Sequence, residues 1–469
     1  MKRLISLFLV FAFCVTLMFG SWMPAQAASV EIDPLLTAKL QTTAKETEHT
    51  AILTFSAKPE TGTIQLLQGL GLKTLSFRQL PMVAVRGPKA AIEQTFSLSG
   101  LRSVYSDKQL TYLLKESVPL IGADRVWQEL GYTGKGVTVA VIDSGVDASH
   151  PDLPLGTKTV QNVKFLTGNL IFEGEPLYVE NVLNSDTTSG HGTHVSGIIA
   201  GTGSASGGTY TGVAPGAQLV GLGTGETLSI LWALEAIDYV LANQQKYNIQ
   251  VISNSWGTTG AYSPNDPINV ASKQAHDAGM VVAFAAGNEG PESNTLNPYS
   301  VAPWVIGVAA GTKDRKLADF SSRGIEGDPL YYPTITAPGA DIVSTRSSTG
   351  ATINALTAQK DTTYIPPQYL PYYTTASGTS MATPHIAGVV ALMLEAKPGL
   401  APDVVKDLLV RTADPMDGYK PFEVGAGYVN AYKAVSMAKS TNTQIGKYRD
   451  KKTGKTYPTY TVAGSWEER

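Results

Sequence analysis

The sequence predicts an α/β protein: a mostly parallel sheet with helices on both faces, preceded by a small α+β unit. Three observations carry this expectation. From about residue 118 onward, continuous apolar runs recur at Val137 to Ile142, Gln218 to Leu222, Gln250 to Ser253, Met280 to Ala285 and Trp304 to Val308, the pattern of parallel strands buried on both faces. Stretches with helical spacing separate them, at Leu228 to Asn243, Asn269 to Asp277 and Thr383 to Ala396. Residues from about 45 to 110 instead alternate short strands and short helices.

The elements follow in chain order. Met1-Lys2-Arg3, the apolar stretch Leu4 to Phe19 and Ala25-Gln26-Ala27 supply the charged, apolar and small-residue parts of a secretory signal peptide, with cleavage expected after Ala27. The apolar stretch is short for a membrane span. Cys14, the one cysteine, lies inside it, so the expected mature chain has no disulfide to stabilise it outside the cell. Next, Thr50 to Phe55, Lys73 to Phe77, Met82 to Arg86 and Leu101 to Tyr105 read as strands, and Glu60 to Leu70 and Pro88 to Phe96 as helices. This β-α-β-β-α-β order is the split ferredoxin-like motif. After about Ala438 the pattern fades, and residues 440–469 read as a solvated tail.

Composition narrows the function classes. With 469 residues, 16% charged content and a net charge of −3, the chain has the make-up of a soluble globular protein. No basic stripe argues for nucleic acid, and only the N-terminal run raises a membrane question.

The chemistry gathers in a few motifs. Gly378-Thr379-Ser380-Met381-Ala382-Thr383-Pro384-His385 reads as a glycine-opened helix start carrying a serine hydroxyl, where the helix dipole and free N–H groups favour an oxyanion. Pro384 is read as lying in the first turn, where its missing N–H breaks no bond. Alone, the segment also suits an ordinary helix start capped by Thr379 or Ser380. A serine needs a base, and the base needs a carboxylate to fix its tautomer. His191 opens the apolar helix of Ser189-Gly190-His191-Gly192-Thr193-His194. Its alternatives are a capping histidine or a metal pair with His194, although the zincin pattern is lacking. Asp143 ends the strand-like run from Val137 and is followed by Ser144-Gly145. No second Asp-Ser/Thr-Gly exists to make a carboxylate dyad. The order Asp, His, Ser separates this constellation from α/β-hydrolase and chymotrypsin-like arrangements.

On Val141-Ile142-Asp143-Ser144-Gly145, His191-Gly192-Thr193-His194-Val195, Ala286-Gly287-Asn288 and Gly378 to Pro384, the chain resembles the subtilisin-like serine proteases (subtilases), over about residues 118 to 437. The resemblance implies a subtilisin-like catalytic domain at 115–439 and a triad of Asp143, His191 and Ser380, with Asn288 as oxyanion donor. It implies substrate-pocket walls at Ser255, Trp256, Gly257, Ala285, Ala286 and Gly287. Residues 28–114 are then similar to the family's propeptide, an intramolecular chaperone and inhibitor, with maturation near Leu114-Lys115. Expected is a secreted, monomeric serine endopeptidase made as a zymogen, acting on proteins or peptides with large apolar residues before the cleaved bond. A pseudoprotease that only binds peptides and a narrow-specificity processing protease are the alternatives. No cofactor is expected in the chemistry. Structural calcium is left open, because the loop Gly201 to Gly212 has no carboxylate.

Overall fold

The computed structural model describes residues 30–76, 81–106, 117–166, 177–225, 229–449 and 456–462. The expected signal peptide and the expected maturation site at Leu114-Lys115 lie outside the described residues. The chain divides into two compact units, Met1–Thr111 and Tyr112–Arg469.

The first unit runs β1 (Glu31–Ile32), α1 (Pro34–Thr42), β2 (Glu48–Phe55), α2 (Thr61–Gly69), β3 (Lys73–Ser76), β4 (Met82–Pro88), α3 (Lys89–Gln94) and β5 (Leu101–Ser106). From β2 to β5 this is the order expected from the sequence. The strands are arranged β1-β5-β2-β4-β3, with β2 antiparallel to both β4 and β5 and with β1 parallel to β5 at one edge. Ala51, Leu53 and Phe55 alternate along β2 into a core that also holds Val83, Val85, Leu67 and Ile92, as the two-residue strand period requires. Leu36 and Leu40 on α1, one turn apart, close the same core.

The second unit carries the main sheet. Its elements are β6 (Thr138–Asp143), β7 (Thr159–Phe165), β8 (Tyr178–Val179), α4 (His191–Ala200), β9 (Gln218–Gly223), α5 (Ile230–Tyr247), β10 (Ile249–Asn254), α6 (Pro267–Asp277), β11 (Val281–Ala285), β12 (Ile306–Gly311) and β13 (Ile335–Pro338). There follow β14 (Ile342–Thr345), α7 (Ala351–Tyr364), β15 (Tyr373–Ala376), α8 (Thr379–Ala396), α9 (Pro402–Thr412) and α10 (Ala431–Ser440). The sheet order is β13-β12-β11-β10-β6-β9-β7-β8, parallel except for β8.

Side chains on β6 show why both faces need cover. Val139 and Val141 enter one core with Val195 and Ile199 of α4, Ile386 and Val390 of α8 and Leu408 of α9. Ala140 and Ile142 enter the other, with Ala236 and Val240 of α5 and Ile268 of α6. Each fully buried aliphatic side chain of this kind contributes ~1.5–3 kcal/mol. β7 escapes a search for apolar runs because Gln161 and Asn162 sit buried within it, their polar groups satisfied by Tyr247, Val146 and Val182.

The structure departs from the sequence reading at two places. Helix α8 begins at Thr379 rather than Thr383, so Pro384 lies inside it and not in its first turn. Its ring removes the N–H that would reach the Ser380 carbonyl. Side chains engage the neighbouring carbonyls: Thr383 Oγ1 donates to the Thr379 carbonyl (2.9 Å) and His385 Nδ1 to that of Met381 (2.8 Å). The helix is buried almost throughout, and that packing outweighs the local cost. Secondly, the segment expected as a tail holds an antiparallel pair, β16 (Thr441–Arg449) and β17 (Thr456–Val462), whose Thr, Tyr and Val residues favour extended backbone.

Strand order reverses around β6, since the chain lays β9 and β7 on one side of it and β10 to β13 on the other. In such a sheet the ligand crevice opens at the carboxyl ends of the central strands. Those ends are Asp143 of β6, Gly223 of β9 and Asn254 of β10.

Candidate active site

Asp143 is the last residue of β6 and is 5% exposed. Its Oδ1 accepts the Ser144 N–H (2.8 Å) and His191 Nδ1 (2.7 Å). His191 is the first residue of α4, and Gly190 before it adopts φ 83°, a left-handed conformation that glycine takes without steric cost. With Nδ1 donating to the carboxylate, Nε2 is left as the basic nitrogen. Burial disfavours the imidazolium, but the Asp143 carboxylate outweighs it, so the His191 pKa stands above the ordinary value.

Ser380 is the second residue of α8, and its hydroxyl donates to the Ser255 carbonyl at 2.7 Å. The structure thus joins Asp143 to His191 directly and seats Ser380 Oγ against the end of β10.

Asn288 follows β11, and its Oδ1 accepts both the Thr379 N–H (2.8 Å) and Thr379 Oγ1 (2.9 Å). Thr379 Oγ1 in turn accepts the Gly287 N–H (3.2 Å). These bonds decide the amide orientation. Oδ1 is committed to the residue beside Ser380, so Nδ2 is the group available to a substrate oxygen.

A cleft of about 360 Å³ ends at Ser380 and is walled by Trp256, Gly257, Ala285, Gly287 and Asn288. Ser255 and Ala286, expected among its walls, are buried behind it. Ser255 offers its carbonyl, and Ala286 packs on Leu296 and Val301. The indole of Trp256 is turned into the second core, donating to the Ile142 carbonyl (2.8 Å) and standing edge-on to Phe284 at 5.1 Å. Thr258, Thr259, Glu289, Thr295 and Asn297 also line the cleft and escaped the sequence reading. Asn297 joins its two walls, donating to the carbonyls of Trp256 (3.1 Å) and Ala285 (2.8 Å). Locally it is an Asn-Pro turn, so only the folded arrangement reveals this use.

A metal pair of His191 and His194 finds no support here. His194 Nε2 donates to the carbonyls of Ile342 (3.0 Å) and Thr374 (3.1 Å), and burial pulls its pKa down to about 3, so it is a neutral core histidine. Beside the Gly201 to Gly212 loop, Asp152 accepts the Ala205 N–H (2.9 Å) and the Tyr373 hydroxyl (2.7 Å). Among the described residues no group of three or more His, Cys, Asp or Glu could hold a metal ion.

The sequence was also compared with known proteins. The sequence profile of the Subtilase family matches residues 134–437. The chain is 35% identical over 374 residues to serine protease AprX of Bacillus subtilis, covering 74% of this chain and 77% of that protein. To subtilisin E of the same organism it is 34% identical over 314 residues, covering 65% of this chain and 67% of the relative. A thermostable alkaline protease of Halalkalibacterium halodurans is 28% identical over 368 residues, 76% of this chain and 84% of that one.

Proposed function

The chain belongs to the subtilase family of serine endopeptidases, and from that premise we propose that it is a secreted enzyme, made as a zymogen, whose triad is Asp143, His191 and Ser380. Ser380 Oγ attacks the peptide carbonyl while His191 Nε2 takes its proton. Asp143 holds the imidazole in the required tautomer and stabilises the imidazolium that forms. The Asn288 Nδ2 group and the Ser380 N–H donate to the oxyanion. His191 then protonates the leaving amine and activates the water that releases the acyl group.

The observation that carries this reading is the 2.7 Å bond from His191 Nδ1 to Asp143 at the carboxyl end of β6, with the cleft ending at Ser380. A preference for large apolar side chains before the cleaved bond is supported by the small wall residues Gly257, Ala285 and Gly287, which leave room for a large side chain, although Thr258, Thr259, Glu289 and Asn297 make other parts of the cleft polar. The compact ferredoxin-like unit that precedes the sheet supports a propeptide role for residues 28–114. No helix among the described residues is long and apolar enough to cross a membrane.

The test compares self-maturation and chromogenic-peptide hydrolysis in wild type and Ser380→Ala. The expected result is the loss of both in the variant. Equal hydrolysis by the two proteins would overturn the triad.

A further inference from the structure

Asp186, a carboxylate outside the triad, holds the backbone that carries His191. It lies in the loop before α4 and is fully buried. Its Oδ1 accepts the Ser144 hydroxyl (3.0 Å) and the Gly190 N–H (2.8 Å), and its Oδ2 accepts the N–H (3.1 Å) and hydroxyl (2.6 Å) of Thr193. Ser144 Oγ also accepts the Gly192 N–H at 2.8 Å. The residues on both sides of His191 are therefore held, Gly190 directly and Gly192 through Ser144. The same Ser144 donates its N–H to Asp143 Oδ1. The loop is braced from behind, where the Asp186 carbonyl accepts the hydroxyls of Ser347 (3.2 Å) and Thr349 (2.9 Å).

We propose that Asp186 is a positioning residue of the catalytic site, which sets the distance and direction of His191 relative to Asp143 and adds a second negative charge behind the imidazole. The proposal rests on the triad reading above. All four groups that hydrogen-bond Asp186 are donors, which suits an ionised carboxylate and would leave a carboxamide with one mismatched side; burial and the Asp143 charge push its pKa up, and these donors, with Lys164 of β7 nearby, act against that. Two carboxylates act on His191, Asp143 from β6 and Asp186 from the preceding loop, while His194, one turn along α4, is kept neutral by burial.

The test is Asp186→Asn, with Ser144→Ala as a second variant that breaks one link and keeps the charge. Rates are expressed per active site titrated with an acylating inhibitor. In Asp186→Asn, kcat should fall on the order of 10²-fold at unchanged KM, the effect of a reacting group displaced by about 1 Å. The acid limb of its kcat profile should also move to lower pH, because a charge favouring imidazolium is gone. In Ser144→Ala, kcat should fall on the order of tenfold, as for loss of an outer hydrogen-bonding partner, with the acid limb in place. If Asp186→Asn does not fold, Ser144→Ala decides alone. Wild-type kcat per titrated site and an unmoved acid limb in Asp186→Asn would overturn the proposal, as would wild-type kcat in a Ser144→Ala protein tested alone. Failure of the triad reading is recognised separately, by activity that survives Ser380→Ala.

Discussion

Gly192→Ala should disable the enzyme while leaving its fold and its substrate cleft in place. A Cβ at Gly192 would lie 2.2 Å from the Gly145 carbonyl oxygen, 2.9 Å from Gly145 N and 3.0 Å from Asp143 Cβ. Real Cβ atoms essentially never come under 3.0 Å, and backbone on both sides leaves no flexible side chain to swing away. The first turn of α4 must therefore retreat from the end of β6 by ~0.8 Å. That stretches the 2.7 Å bond between His191 Nδ1 and Asp143 to about 3.5 Å, past the range in which such a bond holds. A displacement near 1 Å costs on the order of 10²-fold in rate, or ~2.7 kcal/mol of barrier. The strain should cost ~1–3 kcal/mol of stability, partly offset by ~1 kcal/mol of helix propensity gained over glycine. The assay is chromogenic-peptide hydrolysis per titrated active site, beside a thermal melt. KM should hold, because the cleft is built from β10, β11 and their following loops. A kcat within threefold of wild type would refute the reasoning, since α4 would then have absorbed the methyl group without moving His191.

Three further outcomes follow from the same geometry. Asn288→Ala should lower kcat about 10²- to 10³-fold with KM little changed, the range seen for an amide donor in subtilisin itself, and a rise in KM at constant kcat would place Asn288 in ground-state binding instead. The acid limb of activity should follow the His191 pKa, which the Asp143 carboxylate raises against burial. Because the neutral imidazole is the active form, Asp143→Asn should shift that limb to lower pH while cutting kcat on the order of 10⁴-fold. In the linked stability, the Asp143–imidazolium pair contributes below the unfolded histidine pKa, and this contribution is lost as pH rises through the folded one. Melting curves of wild type and Asp143→Asn across that window should converge at its alkaline end.

Which parts were legible in the chain follows from where the determining forces act. The strand runs could be read because a strand buried on both faces has no polar side to show, as Val139 to Ile142 illustrates. Strand β7 could not, since the partners that satisfy Gln161 and Asn162 are distant in sequence. The start of α8 was misplaced because local rules put Pro384 near a helix end, whereas Thr383 and His385 engage carbonyls around it and the core covers the helix. Asp143, His191, Ser380 and Asn288 stood out because each needs a special neighbour, a glycine turn or a strand end, that is written next to it.

The sequence by itself determined the class of fold and the family, through short-range patterns of burial, turn formation and motif spacing. Tertiary structure decided the rest. Only the folded chain turns Trp256 into the core rather than across the cleft, commits Asn288 Oδ1 to Thr379, and brings Asp186 under both neighbours of His191. The physical reason is range: these are hydrogen bonds between groups scattered along the chain, and their directions exist only once the strands of the sheet are in register.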